Sequence, residues 1–161
     1  MAEKEKKEFK SISRNKVAFH DYEIFDRYEA GLVLTGSEIK SVRQGAVSLK
    51  EGYVRIKEGE AWLLEAHIAP YKNATAGTGH APFRPRKLLM HRRELDSITG
   101  RVQKKGLTII PLQLYIKNNV AKLEIGLAKS KKLFDKRQDI IKKETEREMG
   151  RHMKDKILRR I

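Results

Sequence analysis

Short runs of alternating hydrophobic and polar residues, separated by turn residues, fill most of the chain. The alternation is clearest at residues 53–57 and 61–68, and the Glu58-Gly59 pair between them is a typical turn, so these runs predict a β-hairpin. Aromatic and β-branched residues mixed with charges predict a half-exposed strand at residues 22–28, which residues 31–34 continue in a more buried form.

A second pair of strands is predicted at residues 107–116 and 120–128, with Asn118-Asn119 as the turn between them. Pro111 lies inside the first of these strands. Because proline has no N–H group to donate to a neighbouring strand, it indicates an edge position or a β-bulge.

Two other stretches have helical spacing. The first opens at residues 35–38, where Thr35 or Ser37 can accept hydrogen bonds from free backbone N–H groups, and Gly45 is a suitable end. The second has apolar residues spaced i, i+3 and i+7, the pattern of a helix with one buried stripe: Leu95, Ile98 and Val102.

Short strands, tight hairpins and one or two packing helices indicate a β-rich α+β protein, a small OB-like β-barrel with accessory helices. We expect a disordered, charged leader over residues 1–13, the barrel over residues 14–129 and a basic C-terminal tail over residues 130–161. Residues 70–85, rich in Gly, Ala, Thr, Asn and Pro, predict a long surface loop that is functional or mobile.

The last 33 residues contain thirteen Lys or Arg and six Asp or Glu, with a narrow apolar stripe that includes Met149, Met153 and Ile157. One stripe among so many charges is too little to stabilise an isolated helix. The tail is therefore predicted to be disordered when free and helical when bound to a partner.

The net charge of +15 indicates a polyanionic partner, which leaves nucleic acid, an anionic membrane surface or an acidic protein. Nucleic acid is favoured over a membrane, because the tail has no aromatic membrane anchor beyond Phe134. The chain has no cysteine for a disulfide or a thiolate metal site, and no apolar run approaches a membrane span. We expect a cytoplasmic protein with no membrane partner.

Catalytic motifs are missing from the sequence. The five histidines are scattered without the spacing of a metal pair, and there is no P-loop, dinucleotide fingerprint or Gly-x-Ser-x-Gly turn. The expectation is a protein that is not an enzyme and that needs no metal or cofactor.

Residues 126–137, between the predicted barrel and the tail, combine cations, an aromatic ring and a mixed-charge triplet. One interpretation is an RNA contact, because phosphates attract cations and unpaired bases stack on flat rings. The other is a solvated linker, and composition leaves both open. The residues concerned are Lys129, Lys131, Lys132, Phe134, Asp135, Lys136 and Arg137.

Cations are also spread over the predicted barrel, beside histidines and tyrosines that can engage exposed bases. Each one alone is explained equally well as a solubilising surface charge, whereas the collective excess favours RNA or DNA. The residues are Arg14, Lys16, Lys40, Arg43, Lys87, Arg92 and Arg93, with His20, His91, Tyr22 and Tyr28.

Three stretches of the chain resemble the small protein B family, the bacterial SsrA (tmRNA)-binding proteins of trans-translation. They are EAGLVLTGSEIKSVRQG at 29–45, the segment 86–137, and the lead-in NKVAFHDYEIFD. The combination of GLAKSKK followed by DKR is highly specific. The resemblance implies an OB-like barrel that binds the tRNA-like domain of tmRNA and delivers it to stalled ribosomes. It also implies a tail that enters the decoding centre and the empty mRNA channel among rRNA, in a protein that we expect to be a monomer.

The resemblance also implies roles for particular residues. Glu29 would take part in the tmRNA contact, and the Lys129–Lys132 cations would approach the RNA backbone. Asn15, Lys16, His20, Lys40 and Arg43 would lie on or near the face that carries Glu29. Asp135, Lys136 and Arg137 would begin the decoding-centre tail. Phe134 stands where some members of the family have a histidine, so it would retain stacking on a ribosomal base and lose the titratable ring.

Two alternatives use the same residues. The first is a structural ribosome-associated or assembly protein that binds rRNA permanently. The second, more remote, is an RNA-modifying enzyme, which would need a clustered pair of general acid–base residues.

Overall fold

The structure is a computed structural model and describes residues 9–159. The chain divides into two compact units, with the boundary in sequence between Lys129 and Ser130, and each is described by itself. The elements in chain order are β1 (Phe9–Arg14), α1 (Lys16–Asp21), β2 (Tyr22–Leu32), α2 (Gly36–Arg43), β3 (Val47–Ser48), β4 (Tyr53–Lys57), β5 (Glu60–Leu64), β6 (His67–Ile68), β7 (Arg86–Leu89), α3 (Arg92–Lys105), β8 (Thr108–Lys117), β9 (Val120–Ser130) and α4 (Leu133–Leu158).

Six strands close into a ring in the order β8-β4-β5-β7-β2-β9, because β9 pairs with β8 again. Strand β1 adds to the ring by pairing antiparallel with β8, and β3 and β6 form a separate two-stranded sheet. Closure removes the open edges that a sheet of this size would otherwise expose. The prediction of a β-rich, OB-like barrel with accessory helices is confirmed.

Strand β8 pairs with two different strands, β1 and β4, along one of its edges. Its second half pairs with β1, whereas Ile109 in its first half pairs with Val54 of β4. The change of neighbour lies near Pro111, where the register against β9 shifts. The bulge predicted from Pro111 is therefore present, and it falls where the strand has to bend.

Both predicted tight turns are present. Glu58 and Gly59 have positive φ angles of 53° and 74°, and Asn118 and Asn119 have 51° and 63°. Two consecutive residues of positive φ are the requirement of a type I′ turn, whose twist matches that of the flanking antiparallel strands.

The core fills the barrel with the inward residues of every strand. Leu63, Leu114, Leu123 and Leu127 are fully buried, and α3 packs onto this cluster through Leu95 and Ile98 as its spacing predicts. A smaller cluster beneath α1 joins Ala18, Ile110, Leu112 and Ala128.

The prediction of a disordered leader was wrong for residues 9–13. They belong to β1, which gains its hydrogen bonds from β8, a strand that lies far along the chain. Residues 1–8 lie outside the described residues. The loop predicted over residues 70–85 is confirmed, since no helix or strand lies between β6 and β7.

The tail forms the single helix α4, none of whose residues is buried. The predicted helix is thus present, and its dependence on a bound partner stays a prediction. Within residues 9–159, no helix is both long enough and apolar enough to cross a membrane.

Candidate nucleic-acid interface

Asn15 fixes the start of α1. Its side-chain oxygen accepts a hydrogen bond from the N–H of Ala18 at 3.1 Å, and its amide nitrogen donates to the carbonyl oxygens of Leu49 at 3.1 Å and Pro111 at 2.9 Å. The residue is only 5% exposed. Its polar atoms are engaged inside the protein, so Asn15 positions the helix that carries Lys16 and His20.

Exposed cations surround the aromatic ring of α1. The guanidinium carbons of Arg14 and Arg27 lie 4.7 Å and 5.4 Å from the centre of the Phe19 ring, close enough for cation–π attraction. Lys16 is exposed beside them, and the ring of His20 is hydrogen-bonded to Asp21 at 2.8 Å. Arg27 was missed from the sequence, although its outward position in the alternation of β2 is a signal that predicts exposure.

Glu29 lies on the outer face of β2 and is held by two neighbours. The hydroxyl of Tyr115 donates to Glu29 Oε2, and Lys117 Nζ lies 3.5 Å from the same oxygen. The hydrogen bond from Tyr115, helped by Lys117, lowers the pKa of Glu29 although partial burial acts the other way. Burial and the bond to Glu29 raise the pKa of Tyr115, which keeps its hydroxyl protonated as the donor.

A surface cleft of about 420 Å³ brings Glu29 and His91 together. Its walls combine an apolar side, two carboxylates and a cation, and they include Glu29, Leu89, His91, Glu94, Val120 and Lys122. A carboxylate repels phosphate and accepts hydrogen bonds from base N–H groups, so the cleft suits the edge of a base better than the backbone of a nucleic acid.

Helix α2 presents the predicted residues Lys40 and Arg43 to solvent. Lys40 Nζ lies 5.3 Å from the centre of the Tyr71 ring, which belongs to the 70–85 loop. The helix begins as predicted, since Thr35 is its N-cap and forms a capping box with Glu38.

A buried ion cluster that the sequence did not reveal holds α2 against the loop. Glu38 is fully buried and accepts hydrogen bonds from Arg86 Nε at 2.9 Å, Arg84 Nη2 at 2.7 Å and the N–H of Thr35 at 2.9 Å. Burial alone would raise the pKa of Glu38, but the bonds from Arg84, Thr35 and Arg86 outweigh it and hold that pKa at about 2. The other two nitrogens of the Arg86 guanidinium donate hydrogen bonds to the carbonyl oxygens of Ala66 and Pro82.

Lys87 lies apart from the cleft that contains Glu29. It is on the outer face of β7, and its Nζ is 2.5 Å from Glu60 Oε1. Its register partner on β5 is Trp62.

The second unit carries the predicted tail residues. Lys131 Nζ is ion-paired with Asp139, Lys132 is the N-cap residue of α4, and Phe134 is 69% exposed. Asp135 lies in the first turn, where a carboxylate interacts favourably with the helix dipole. Lys136 and Arg137 follow in the same helix, whereas Lys129 is exposed at the end of the first unit.

Among residues 9–159, no group of three or more His, Cys, Asp or Glu side chains is arranged to hold a metal ion. The described surface offers exposed cations, aromatic rings and a base-sized cleft beside Glu29. A closed barrel with these features and a basic helix defines a small protein of the RNA-binding, OB-like class.

Comparison with known proteins identifies the family within that class. The family model described as "SmpB protein" matches residues 12–155. The SsrA-binding protein of Roseiflexus sp. (strain RS-1) is 53% identical over 148 residues, which cover 92% of this chain and 94% of that protein. The SsrA-binding protein of Sulfurihydrogenibium sp. (strain YO3AOP1) is also 53% identical over 148 residues, covering 92% of this chain and 97% of that protein. The chain belongs to the SmpB family.

A solved structure agrees with this assignment. A chain from the structure described as "tmRNA-SmpB: a journey to the center of the bacterial ribosome" is similar to this chain with a TM-score of 0.64 and 42% sequence identity. The match covers 76% of this chain and 86% of the solved chain.

Proposed function

We propose that the protein is an RNA-binding adaptor of trans-translation, which binds the tRNA-like domain of tmRNA and delivers it to stalled ribosomes. The observation that carries the proposal is the family match over residues 12–155, with curated relatives that are SsrA-binding proteins. In this role the protein stabilises a complex by binding and performs no chemical step itself.

The barrel supplies the tmRNA contact in this proposal. Lys16 and Arg43 are exposed and bind phosphates, which gives affinity that falls with salt. Glu29, fixed by Tyr115, accepts hydrogen bonds from base donors in the cleft that it shares with His91. Lys40, Lys87 and Lys129 contribute charge from neighbouring elements.

The tail supplies the ribosome contact. The exposed ring of Phe134 stacks on a base at the decoding centre, and Asp135, Lys136 and Arg137 open the helix that follows the empty mRNA channel. Lys131 and Lys132 bind backbone phosphates at the start of this unit. The division at Lys129/Ser130 separates the two binding tasks along the chain.

Deleting residues 130–161 tests this division of labour. We expect the truncated protein to keep most of its affinity for the tRNA-like domain and to lose peptide tagging on stalled ribosomes. Affinity is measured over a salt series against the tRNA-like domain of tmRNA and, as the control, ordinary tRNA. A loss of tmRNA affinity in proportion to the charge removed would contradict the division. Equal affinity for both RNAs would favour a structural rRNA-binding protein instead.

A further inference from the structure

A row of three side chains crosses the outer face of the barrel on β4, β5 and β7. In register, Arg55 faces Trp62, and Trp62 faces Lys87 on its other side. An aromatic ring is thereby flanked by a cation on each neighbouring strand, at the roughly 5 Å spacing of paired strands. We call these three residues the Trp62 row.

Trp62 points outward by the alternation of its strand. Its neighbours Ala61 and Leu63 are each 1% exposed and face the core, whereas Trp62 is only half-buried. Tryptophan offers a large flat apolar surface, and placing it on the outer face leaves part of that surface in water. This is the only tryptophan in the chain.

Arg55 and Trp62 of the row line a cleft of about 380 Å³. Two cations, two carboxylates and apolar side chains line it: Arg55, Lys57, Glu58, Glu60, Trp62, Leu64 and Pro85. Lys87 is paired with Glu60, but among residues 9–159 neither Arg55 nor Lys57 makes an ion pair. Counting Lys87, three cations stand against the carboxylates of Glu58 and Glu60, so a net positive charge lies beside the ring. A flat ring beside net positive charge is an arrangement that stacks a base and binds its adjoining phosphates.

The Trp62 row lies on a different part of the barrel from the tail end of β9. Around the ring of six strands, β5 is three strands from β9 in either direction. The row shares no lining residue with the cleft that contains Glu29. The two sites are therefore built from different side chains, although Lys87 of the row and Leu89 of the cleft lie two residues apart on β7.

We propose that the Trp62 row, together with Lys57 of the same cleft, is a second RNA-contact surface, which takes an unpaired RNA segment with one base stacked on Trp62 and its phosphates on Arg55 and Lys57. Charge complementarity favours RNA over an apolar protein partner, because the cations beside the ring (Arg55, Lys57 and Lys87) outnumber the carboxylates (Glu58 and Glu60). The paired Glu60 carboxylate also accepts a hydrogen bond from the stacked base. Lys87 also contributes charge to the proposed tmRNA contact, whereas Trp62, Arg55 and Lys57 take no part in that contact.

Because Trp62 is the single tryptophan of the chain, its fluorescence reports binding at this surface directly. We expect a 12-nucleotide oligoadenylate, titrated into the full-length protein, to quench the fluorescence of Trp62, because a stacked base quenches indole. Arg55→Ala should reduce the slope of log affinity against log salt by about 0.7, the value for one single-stranded phosphate contact. Lys104→Ala, which removes an exposed cation at the end of α3, is the matched control and should leave quenching unchanged.

Trp62→Phe and Trp62→Leu test the stacking without the reporter, using a labelled oligoadenylate and fluorescence anisotropy. The leucine variant should bind about tenfold more weakly than the phenylalanine variant, because only phenylalanine keeps a ring. Circular dichroism confirms that both variants are folded. The proposal is overturned if the oligonucleotide binds without quenching Trp62, or if Arg55→Ala and Lys104→Ala behave alike.

These experiments distinguish failure of the second RNA-contact surface from failure of the proposed tmRNA contact. Affinity for the tRNA-like domain should be unchanged in the Trp62 and Arg55 variants, since the Glu29 cleft is intact. A protein that binds no tRNA-like domain but still quenches with oligoadenylate would refute the proposed function and leave the second surface standing.

Discussion

At the scale of single residues, Glu38 shows how a buried charge is made favourable. An isolated carboxylate inside a protein costs several kcal/mol, but this one receives hydrogen bonds from two arginines and a backbone N–H group. Arg86 is equally buried, so each charge satisfies the other. The pair joins α2 to β7 and to the loop before it, and it thereby orients the exposed face of α2.

Replacing Glu38 by glutamine should destabilise the protein by about 3–5 kcal/mol, because it leaves the Arg86 charge buried without its counter-charge. The free energy of unfolding is measured with urea, and Glu51→Gln, an exposed carboxylate, is the control. An equal effect of the two substitutions would show that Glu38 has no special role.

The Glu38–Arg86 pair also makes the stability of the protein depend on pH, and the direction follows from the lowered pKa of Glu38. The pKa of Glu38 is about 2 when folded and 4.5 ordinarily, so the native state binds fewer protons at Glu38 than the unfolded state. Its stabilisation is complete above pH 4.5 and is lost as the pH falls from there towards 2. The stability gap between the native protein and Glu38→Gln should narrow over that interval.

Tyr115→Phe should weaken the proposed tmRNA contact through Glu29. Without the hydroxyl, the pKa of Glu29 returns towards its ordinary value and the carboxylate loses the bond that orients it. One such bond contributes about 1 kcal/mol, which is roughly a fivefold loss of affinity for the tRNA-like domain. The pKa of Glu29 is measured by NMR titration. A general structural effect of the substitution would leave that pKa unchanged.

Tyr53→Phe on β4 is the control for that experiment, since Tyr53 lies on a strand without contact to Glu29. A change in affinity without any shift of the Glu29 titration would mean that Tyr115 acts on the RNA directly.

At the scale of elements, the tail helix differs from the helices of the barrel. Helix α3 buries Leu95 and Ile98 against the core, whereas α4 runs from Leu133 to Leu158 with no buried residue. Without tertiary packing, helix stability depends on intrinsic propensity, and Gly150 lowers it in the middle of α4. These facts support the prediction that the helix becomes stable only on a partner.

Gly150→Ala should therefore raise the helical content of the free protein. Nothing lies within 4 Å of the position of an added methyl group, so the gain of about 1 kcal/mol comes from propensity alone. Circular dichroism and amide hydrogen exchange of α4 measure it. Gly100→Ala in α3 has equal space but lies in a helix already held by the core, so its helical content should not change. Equal behaviour of the two variants would mean that α4 is fully formed when free.

At the scale of the whole molecule, local features were predictable from the sequence and long-range ones were not. The two type I′ turns, the capping box at Thr35 and the bulge at Pro111 depend on neighbouring residues, and all are present. Strand β1 depends on β8, which is brought beside it only by folding, so its charged sequence predicted disorder. The Glu38–Arg86 pair joins residues 48 positions apart, and no local pattern marks it.

The candidate site also has features that the sequence predicted and features that it did not. Residue types and the family resemblance predicted which positions bind RNA, including Glu29 and the cations of the tail, and that stays a prediction. They did not distinguish an exposed contact from an internal support. Asn15 is a support, because folding brings the carbonyl oxygens of Leu49 and Pro111 to its amide. Trp62 differs from its expected place in the opposite direction. A lone tryptophan is expected in the core, but the alternation along β5 puts Trp62 on the outer face.

Ring closure explains how one small barrel offers separate surfaces. Each strand sends alternate residues outward, so a closed ring has an outer face on every side while its inner residues share one core. Glu29 on β2 and Trp62 on β5 are both outward residues of such strands, and each lies over a fully buried neighbour, Ala30 in one case and Leu63 in the other. Substitutions of these outward side chains should change RNA binding without opening the core. In the two contacts that we propose, the barrel binds different RNA segments through different strands, while the residues inside set its stability.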